Sequence, residues 1–237
     1  MAAQAIKALT FDVFGTVVDW RSSIAREIAA FGRRKGLALD ANAFADAWRE
    51  LYDPAMDDVR AGRRPWVKLD DLHRESLVKL LVRFDVKGVS EAEIDDLNRA
   101  WHRLDPWPDV VAGLGRLKRK FILATLSNGN VALMVDMAKR AGLPWDVILG
   151  AEVAQHYKPQ PEAYLRTAAF LSLEPAQCMM VAAHPGDLDV ASRCGFKTAY
   201  VPRPLEYGPN RTPERADDRR YNLRAVDFLD LANQLGC

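Results

Sequence analysis

Hydrophobic positions divide the chain into two regimes. Residues 6–13 (IKALTFDV) form a strand-length apolar run that reaches Asp12, and Phe14-Gly15-Thr16 then makes a turn. From about 22 to 101 the period changes: Ile24, Ile28 and Phe31, then Phe44, Trp48 and Leu51, then Leu72, Leu77, Leu80 and Leu81 recur at three-to-four spacing. Residues 62–65 and 87–90 break this helical block, and Ser90 followed by Glu93 reads as a capping box. Past Asp105-Pro106-Trp107-Pro108 short apolar runs alternate with helical stretches. Strands are predicted at 121–127, 147–149, 178–182 and 198–201; helices are predicted at 132–141, 161–171 and 187–194, with Gly142 and Gly195 as stops.

Strands separated by helices imply βαβ units and a parallel sheet, hence an α/β fold whose ligands gather at the carboxyl ends of the strands. That rule selects four places. Asp12 closes the first strand, where a carboxylate faces a ligand beside turn amides; alone it reads equally as a turn-former. Ser127 and Asn128 precede Gly129 at a helix entrance, suited to an anionic group but equally to an N-cap. Lys158 stands in Tyr157-Lys158-Pro159, where it either reaches carboxylates in a crevice or is solvated. His184 and Asp187 follow the strand at 178–182 and deliver an imidazole and a second carboxylate to the same edge. The tally is one acid to attack, a lysine to orient it, donors to grip substrate, and an acid or histidine to activate water.

Composition narrows the classes. The 237 residues are 49% hydrophobic and 27% charged, which fits a globular chain and excludes disorder and collagen-like repeats. Thirty-three Lys and Arg against 32 Asp and Glu give a net charge of +1, so no basic field exists for nucleic acid, and the Arg63-Arg64 and Arg219-Arg220 pairs are too short to supply one. The start of the chain lacks a signal-peptide pattern, and no stretch reaches the roughly 18 apolar residues of a membrane span. Cys178, Cys194 and Cys237 have no metal-ligand spacing, consistent with reduced thiols in a cytoplasmic protein.

Asp12-Val13-Phe14-Gly15-Thr16, Leu126-Ser127-Asn128-Gly129, Tyr157-Lys158-Pro159 and the turn at 181–187 resemble, in order, the four motifs of the haloacid dehalogenase superfamily. The resemblance implies a Rossmann-like parallel-sheet core (1–16 and 105–237) with an inserted helical cap domain (17–104). Phosphatases of the superfamily place a second Asp two residues after the nucleophile to protonate the leaving alcohol; here that position is Phe14. A halide needs no proton to leave, so the aromatic residue fits dehalogenation. Their acidic magnesium ligand is replaced by Ala183, so neither metal nor cofactor is expected.

Trp48-Arg49 resembles the Trp-Arg pair of the (S)-2-haloacid dehalogenases, whose arginine accepts the halide. The resemblance then implies attack by Asp12 on a short 2-haloalkanoate. Halide leaves toward Arg49 and Asn128, the substrate carboxylate lies at Ser127 and the amides of Phe14, Gly15 and Thr16, and Lys158 keeps Asp12 ionised. Asp187, with His184, activates the water that cleaves the ester. A homodimer is the family expectation.

The fourth motif departs from the family's Ser-Ser-Asn-Ala-Trp-Asp: Ala182 to Asp187 keeps only the aspartate, sets His184 at the asparagine position and opens the halide side through Gly186. A superfamily phosphatase, another small-molecule hydrolase and a non-catalytic binding module are the alternatives. The proline-rich stretch 201–213, with Arg203, Glu206, Tyr207 and Arg211, reads as a lid, a subunit contact or a plain connection.

Overall fold

The computed structural model describes residues 5–211, 216 and 220–237. Five parallel strands form one sheet in the order β4(Ile122–Thr125), β1(Ala8–Phe11), β5(Cys178–Ala182), β6(Lys197–Tyr200), β7(Leu223–Arg224). The three inner strands, β1, β5 and β6, are buried along nearly their whole length, as expected of a sheet covered on both faces. β1 lies between β4 and β5, and the chain moves to β4 on one side and β5 on the other, which makes β1 the topological switch point where a crevice opens. Pairing Phe11 with both Thr125 and Val181 brings Asp12, Leu126-Ser127 and Ala182-Ala183 to one edge. Backbone bonds extend this register: Asp12 N–H donates to Val181 O (3.1 Å) and Leu126 N–H to Phe11 O (2.7 Å).

Between β1 and β4 lies the helical cap: α1(Trp20–Lys35), α2(Ala41–Glu50), α3(Tyr52–Arg60), α4(Leu69–Arg83), α5(Glu91–Asn98) and a 3-10 turn, Arg99–Arg103. The chain leaves and re-enters through a two-stranded antiparallel ribbon, β2(Val18–Asp19) with β3(Asp105–Pro106). The predicted apolar stripe forms the cap interior, with Ile24, Ile28, Phe44, Trp48, Leu72 and Leu77 fully buried; each such side chain contributes about 1.5–3 kcal/mol through burial. Trp101 is the hub: it packs edge-on to Trp48 (5.6 Å) and Phe14 (5.7 Å) and stacks on His73 (4.3 Å). Burial drives His73 down to about 3, so its ring is neutral and stacks as an uncharged aromatic. The Ser90–Glu93 capping box is present in both directions.

The second half contains α6(Val110–Leu117), α7(Val131–Ala141), the short α8(Ala151–Ala154), α9(Pro161–Phe170), α10(Pro185–Arg193) and α11(Phe228–Gln234). Two expectations change. Residues 147–149 run parallel beside β4 but are joined to it only by isolated bridges, Val147 with Ala124 and Gly150 with Ser127, because between them the Thr125 hydroxyl takes over the bonds to the Leu149 backbone. The fourth-motif helix starts at Pro185, two residues before the predicted 187, since proline with its preset φ suits a first helical position. Beyond 201 the fold adds β7 and α11, the latter burying Phe228, Leu231 and Ala232 and capped by Asp227, which accepts from Asp230 N–H (2.7 Å). Of the stretch 201–213, residues 212 and 213 lie outside the described residues, as does Arg219 of the Arg219-Arg220 pair. Among the described residues no helix is long and apolar enough to cross a membrane, and the three cysteines are free thiols.

Cap and core are tied by a polar latch. His102 sits between Asp70 of α4 (3.0 Å) and Asp136 of α7 (2.8 Å), and Asn130 donates to Asp70 (2.8 Å). Burial disfavours the charged ring, but the two carboxylates outweigh it and raise the His102 pKa; burial likewise opposes the Asp70 anion, yet His102 and Asn130 lower its pKa. Stability from the raised histidine is complete below its unfolded pKa near 6.5 and fades as pH rises through the folded value. Stability from Asp70 is present above about 3.8 and lost on acidification. His102→Gln should therefore cost about 1–2 kcal/mol near pH 5 and progressively less toward pH 9. Urea unfolding across that range checks this; a penalty constant with pH refutes it.

Candidate active site

The first loop determines where the nucleophile candidate points. After Phe11 the chain turns so that Val17 and Val18 N–H both return to Val13 O, with Gly15 at φ +85°, a conformation that favours glycine. The turn leaves Asp12 almost buried at the bottom of a cavity of about 300 Å³ between core and cap. Its Oδ1 accepts from Lys158 Nζ (2.9 Å); its Oδ2 accepts from the Thr16 hydroxyl (2.6 Å) and lies 2.8 Å from His184 Nδ1. Burial pushes the Asp12 carboxyl up, but Lys158 and His184 more than offset it and hold its pKa well below the usual carboxylate range. Asp12 is therefore an anion at every working pH, and its dry surroundings keep it a competent nucleophile.

Lys158 is buried with its ammonium between two carboxylates, reaching Asp187 Oδ2 (2.5 Å) as well as Asp12. Burial alone lowers a lysine pKa; here Asp12 and Asp187 dominate and raise it. Tyr164 of α9 donates its hydroxyl to Asp187 Oδ1, a contact that no sequence pattern indicated. Burial, with the Asp12 charge nearby, raises the Asp187 pKa. Asp189, the other acid of this turn, is paired with Arg220.

The loop after β4 supplies the donors. Asn128 Oδ1 accepts from Lys158 N–H (2.8 Å), which leaves its NH₂ toward the cavity. Ser127 is fully buried just behind, its Oγ accepting from Gly129 N–H (3.2 Å). From the cap, Arg49 lines the cavity with its guanidinium 4.1 Å from the Tyr52 ring centroid and 5.8 Å from that of Trp20. Among the described residues it forms no ion pair with a carboxylate, and its Nε has no hydrogen-bond partner. The guanidinium shares a hydrogen bond with the Tyr207 side chain, and Asp53 and Glu206 attract it only from longer range; a half-buried cation that faces a cavity without a contacting carboxylate is an anion site. Phe14 supplies an apolar wall and Gly186 an open one, since a Cβ there meets nothing within 4 Å.

The structure thus gathers Asp12, Phe14, Arg49, Asn128, Lys158, His184 and Asp187 around one cavity. Gly15, Thr16 and Ser127 stand behind its wall, where they shape and hydrogen-bond the residues that line it. Where it is described, the region after 201 is no plain connection: it folds inward against the site, and Tyr207 lines the cavity. Arg203 is buried, grips Asp109 with both terminal nitrogens (2.8 and 2.9 Å) and donates to Thr16 O (2.8 Å). Glu206 is buried beside the nucleophile loop, 3.0 Å from His184 Nε2. Its only sequence signal was an acid in a proline-rich stretch.

A side chain at position 15 would meet Glu206, since a Cβ there lies 2.2 Å from Oε1. Gly15→Ala is expected to cost about 1–3 kcal/mol from this clash and the positive φ. For a chain of this length that lowers Tm by about 3–10 °C. Thermal melting checks it; an unchanged Tm removes the argument for close approach.

The profile of the haloacid dehalogenase-like hydrolases matches residues 6–195. The solved structure of a defluorinating L-2-haloacid dehalogenase is similar with a TM-score of 0.93 and 47% identity, covering 98% of this chain and 96% of that one. An (S)-2-haloacid dehalogenase of Xanthobacter autotrophicus is 29% identical over 84% of this chain and 76% of its own length. A phosphoglycolate phosphatase of Aquifex aeolicus is 33% identical over 83% of this chain and 84% of its own. The chain belongs to the haloacid dehalogenase-like hydrolases.

Proposed function

We propose that this hydrolase removes halide from short (S)-2-haloalkanoic acids and releases the (R)-2-hydroxyacid. The observation that carries this reading is the pairing of an ionised, buried Asp12 with Phe14, instead of a proton donor, two residues on, below an Arg49 guanidinium that no carboxylate among the described residues contacts. A phosphate ester needs its leaving alcohol protonated; a halide needs a fixed cation. Asp12 attacks the halogen-bearing carbon and inverts it, and the halide departs toward the Arg49 guanidinium and the Asn128 amide. The substrate carboxylate lies beside Phe14 and the Asn128 amide, on a wall that Gly15, Thr16 and the fully buried Ser127 shape from behind, since Gly15 N–H is bonded to Val18 O and the Ser127 Oγ to Gly129 N–H. Lys158 keeps Asp12 charged and ordered. Water activated at the Asp187 and His184 side then cleaves the aspartyl ester without touching the inverted carbon.

The same reading divides the chain into a core (1–16 and 105–237) and a cap (17–104), supported by the ribbon that joins both crossings. It carries forward a cytoplasmic homodimer from the family resemblance, for which sedimentation equilibrium is the test.

The functional test is halide release from chloroacetate, fluoroacetate and both enantiomers of 2-chloropropionate with EDTA present, and p-nitrophenyl phosphate with magnesium alongside. Release confined to the (S)-enantiomer and insensitive to EDTA is expected, and the set ranks the halogens. Magnesium-dependent phosphate release without halide would instead assign the chain to the phosphatases, as the similarity to phosphoglycolate phosphatase allows.

A further inference from the structure

Two groups stand near Asp12 as candidates to activate water, and their surroundings differ. Both oxygens of Asp187 are engaged, one by Lys158 and one by Tyr164, and its side chain is 10% exposed. His184 lines the cavity with 27% of its side chain exposed, so water reaches it. Its Nδ1 faces Asp12 Oδ2 (2.8 Å), and its Nε2 lies 3.0 Å from both oxygens of Glu206. Glu206 is fixed in turn: the Trp20 indole N–H donates to Oε1 (3.0 Å), and the missing side chain at Gly15 makes room for its carboxylate. A buried carboxylate on the far nitrogen of an imidazole sets ring orientation and tautomer.

We propose that Glu206 is the positioning residue of a His184 general base, holding Nε2–H on its carboxylate so that Nδ1 faces the Asp12 ester. This rests on the reading of Asp12 as the nucleophile, and it makes His184 the group that activates water, with Asp187 serving to hold Lys158.

The proton count closes. In the free enzyme burial disfavours the imidazolium, but Glu206 and Asp12 outweigh that and raise the His184 pKa well above its usual value, so the ring carries a proton on each nitrogen. Alkylation forms the Asp12 O–C bond, breaks the C–halogen bond and removes the Asp12 charge that held the Nδ1 proton. That proton leaves to solvent with the halide. Neutral Nδ1 then takes a proton from a water attacking Asp12 Cγ, the ester C–O bond to Asp12 breaks, and the departing alkoxide is protonated by the second water hydrogen. The aspartate anion and the imidazolium return, and one acid equivalent is released per turnover.

The test is rapid-quench turnover of chloroacetate with intact-mass analysis on the full chain and on Glu206→Gln, with folding verified by melting. The variant should show one equivalent of fast halide release, then steady turnover slowed about 10–100-fold as the alkylated protein accumulates. The acid limb of ester hydrolysis should move down by about one pH unit, because the ring has lost its carboxylate. A merely structural role would not move that limb. Equal slowing of halide release and turnover, with no adduct, overturns the proposal, as does unchanged turnover. If Glu206→Gln does not fold, Glu206→Asp serves: it keeps the charge and draws it back one methylene, and adduct should still accumulate; absence of adduct overturns the proposal there too. Unmodified enzyme that releases no halide and forms no adduct overturns the nucleophile reading and this inference with it.

Discussion

Asp12→Asn is expected to lower halide release by about four orders of magnitude or more and to leave the chain folded. The amide has no negative oxygen with which to displace halide. It still offers Lys158 an acceptor, and each neighbouring cation keeps a second anion: Lys158 retains Asp187 and His184 retains Glu206. No buried charge is orphaned, so the stability change should stay within about 1–2 kcal/mol. A chloride electrode and a thermal melt on the same preparation check both halves. Wild-type halide release from the variant would remove the ester mechanism; an unfolded variant would mean that Asp12 is first a structural anion.

Lys158→Met carries the second large effect, here on activity and stability together. The ammonium is the charge between the buried Asp12 and Asp187 carboxylates, so its removal leaves two like charges facing each other in a poorly solvated pocket. The pair should take up a proton, which neutralises the nucleophile for part of the population. Removing one partner from such a network costs about 3–5 kcal/mol at neutral pH, or about 6–20 °C in Tm.

The pH dependence has a definite sign. In the unmodified chain the depressed Asp12 pKa contributes stability above about pH 4 that is lost on acidification. In the variant the carboxyl pair has raised pKa values, so its penalty is full at neutral pH and disappears as pH falls through them. The gap between the two proteins should therefore close toward pH 4. Thermal melts from pH 4 to 8 measure it; a gap that widens on acidification contradicts the charge argument.

Much of the site was legible because parallel α/β topology converts position along the chain into position in space. Asp12, Asn128, Lys158 and His184 follow strands or crossovers whose carboxyl ends must share one edge, so reading the strand ends was enough to bring them together. The helical block announced itself through its three-to-four period, whereas Arg49, next to the buried Trp48 and so turned to another side of α2, was picked out by the Trp-Arg resemblance alone.

Contacts that cross long separations carry no such period. Glu206 meets Trp20 across 186 positions and His184 across 22, and nothing local distinguishes a proline-rich surface turn from one folded inward by Arg203 on Asp109. Tyr164 reads as an ordinary apolar position of a helix, and only packing α9 against α10 places its hydroxyl on Asp187. The α/β class, the helical block and the first row of reactive groups were therefore readable along the chain, because they follow from periodicity and strand order. Which charges pair, which nitrogen of His184 faces the nucleophile and which cap guanidinium meets the cavity without a carboxylate contact follow from the packed fold alone, because pairing depends on burial and on distances of a few ångströms that no local pattern encodes.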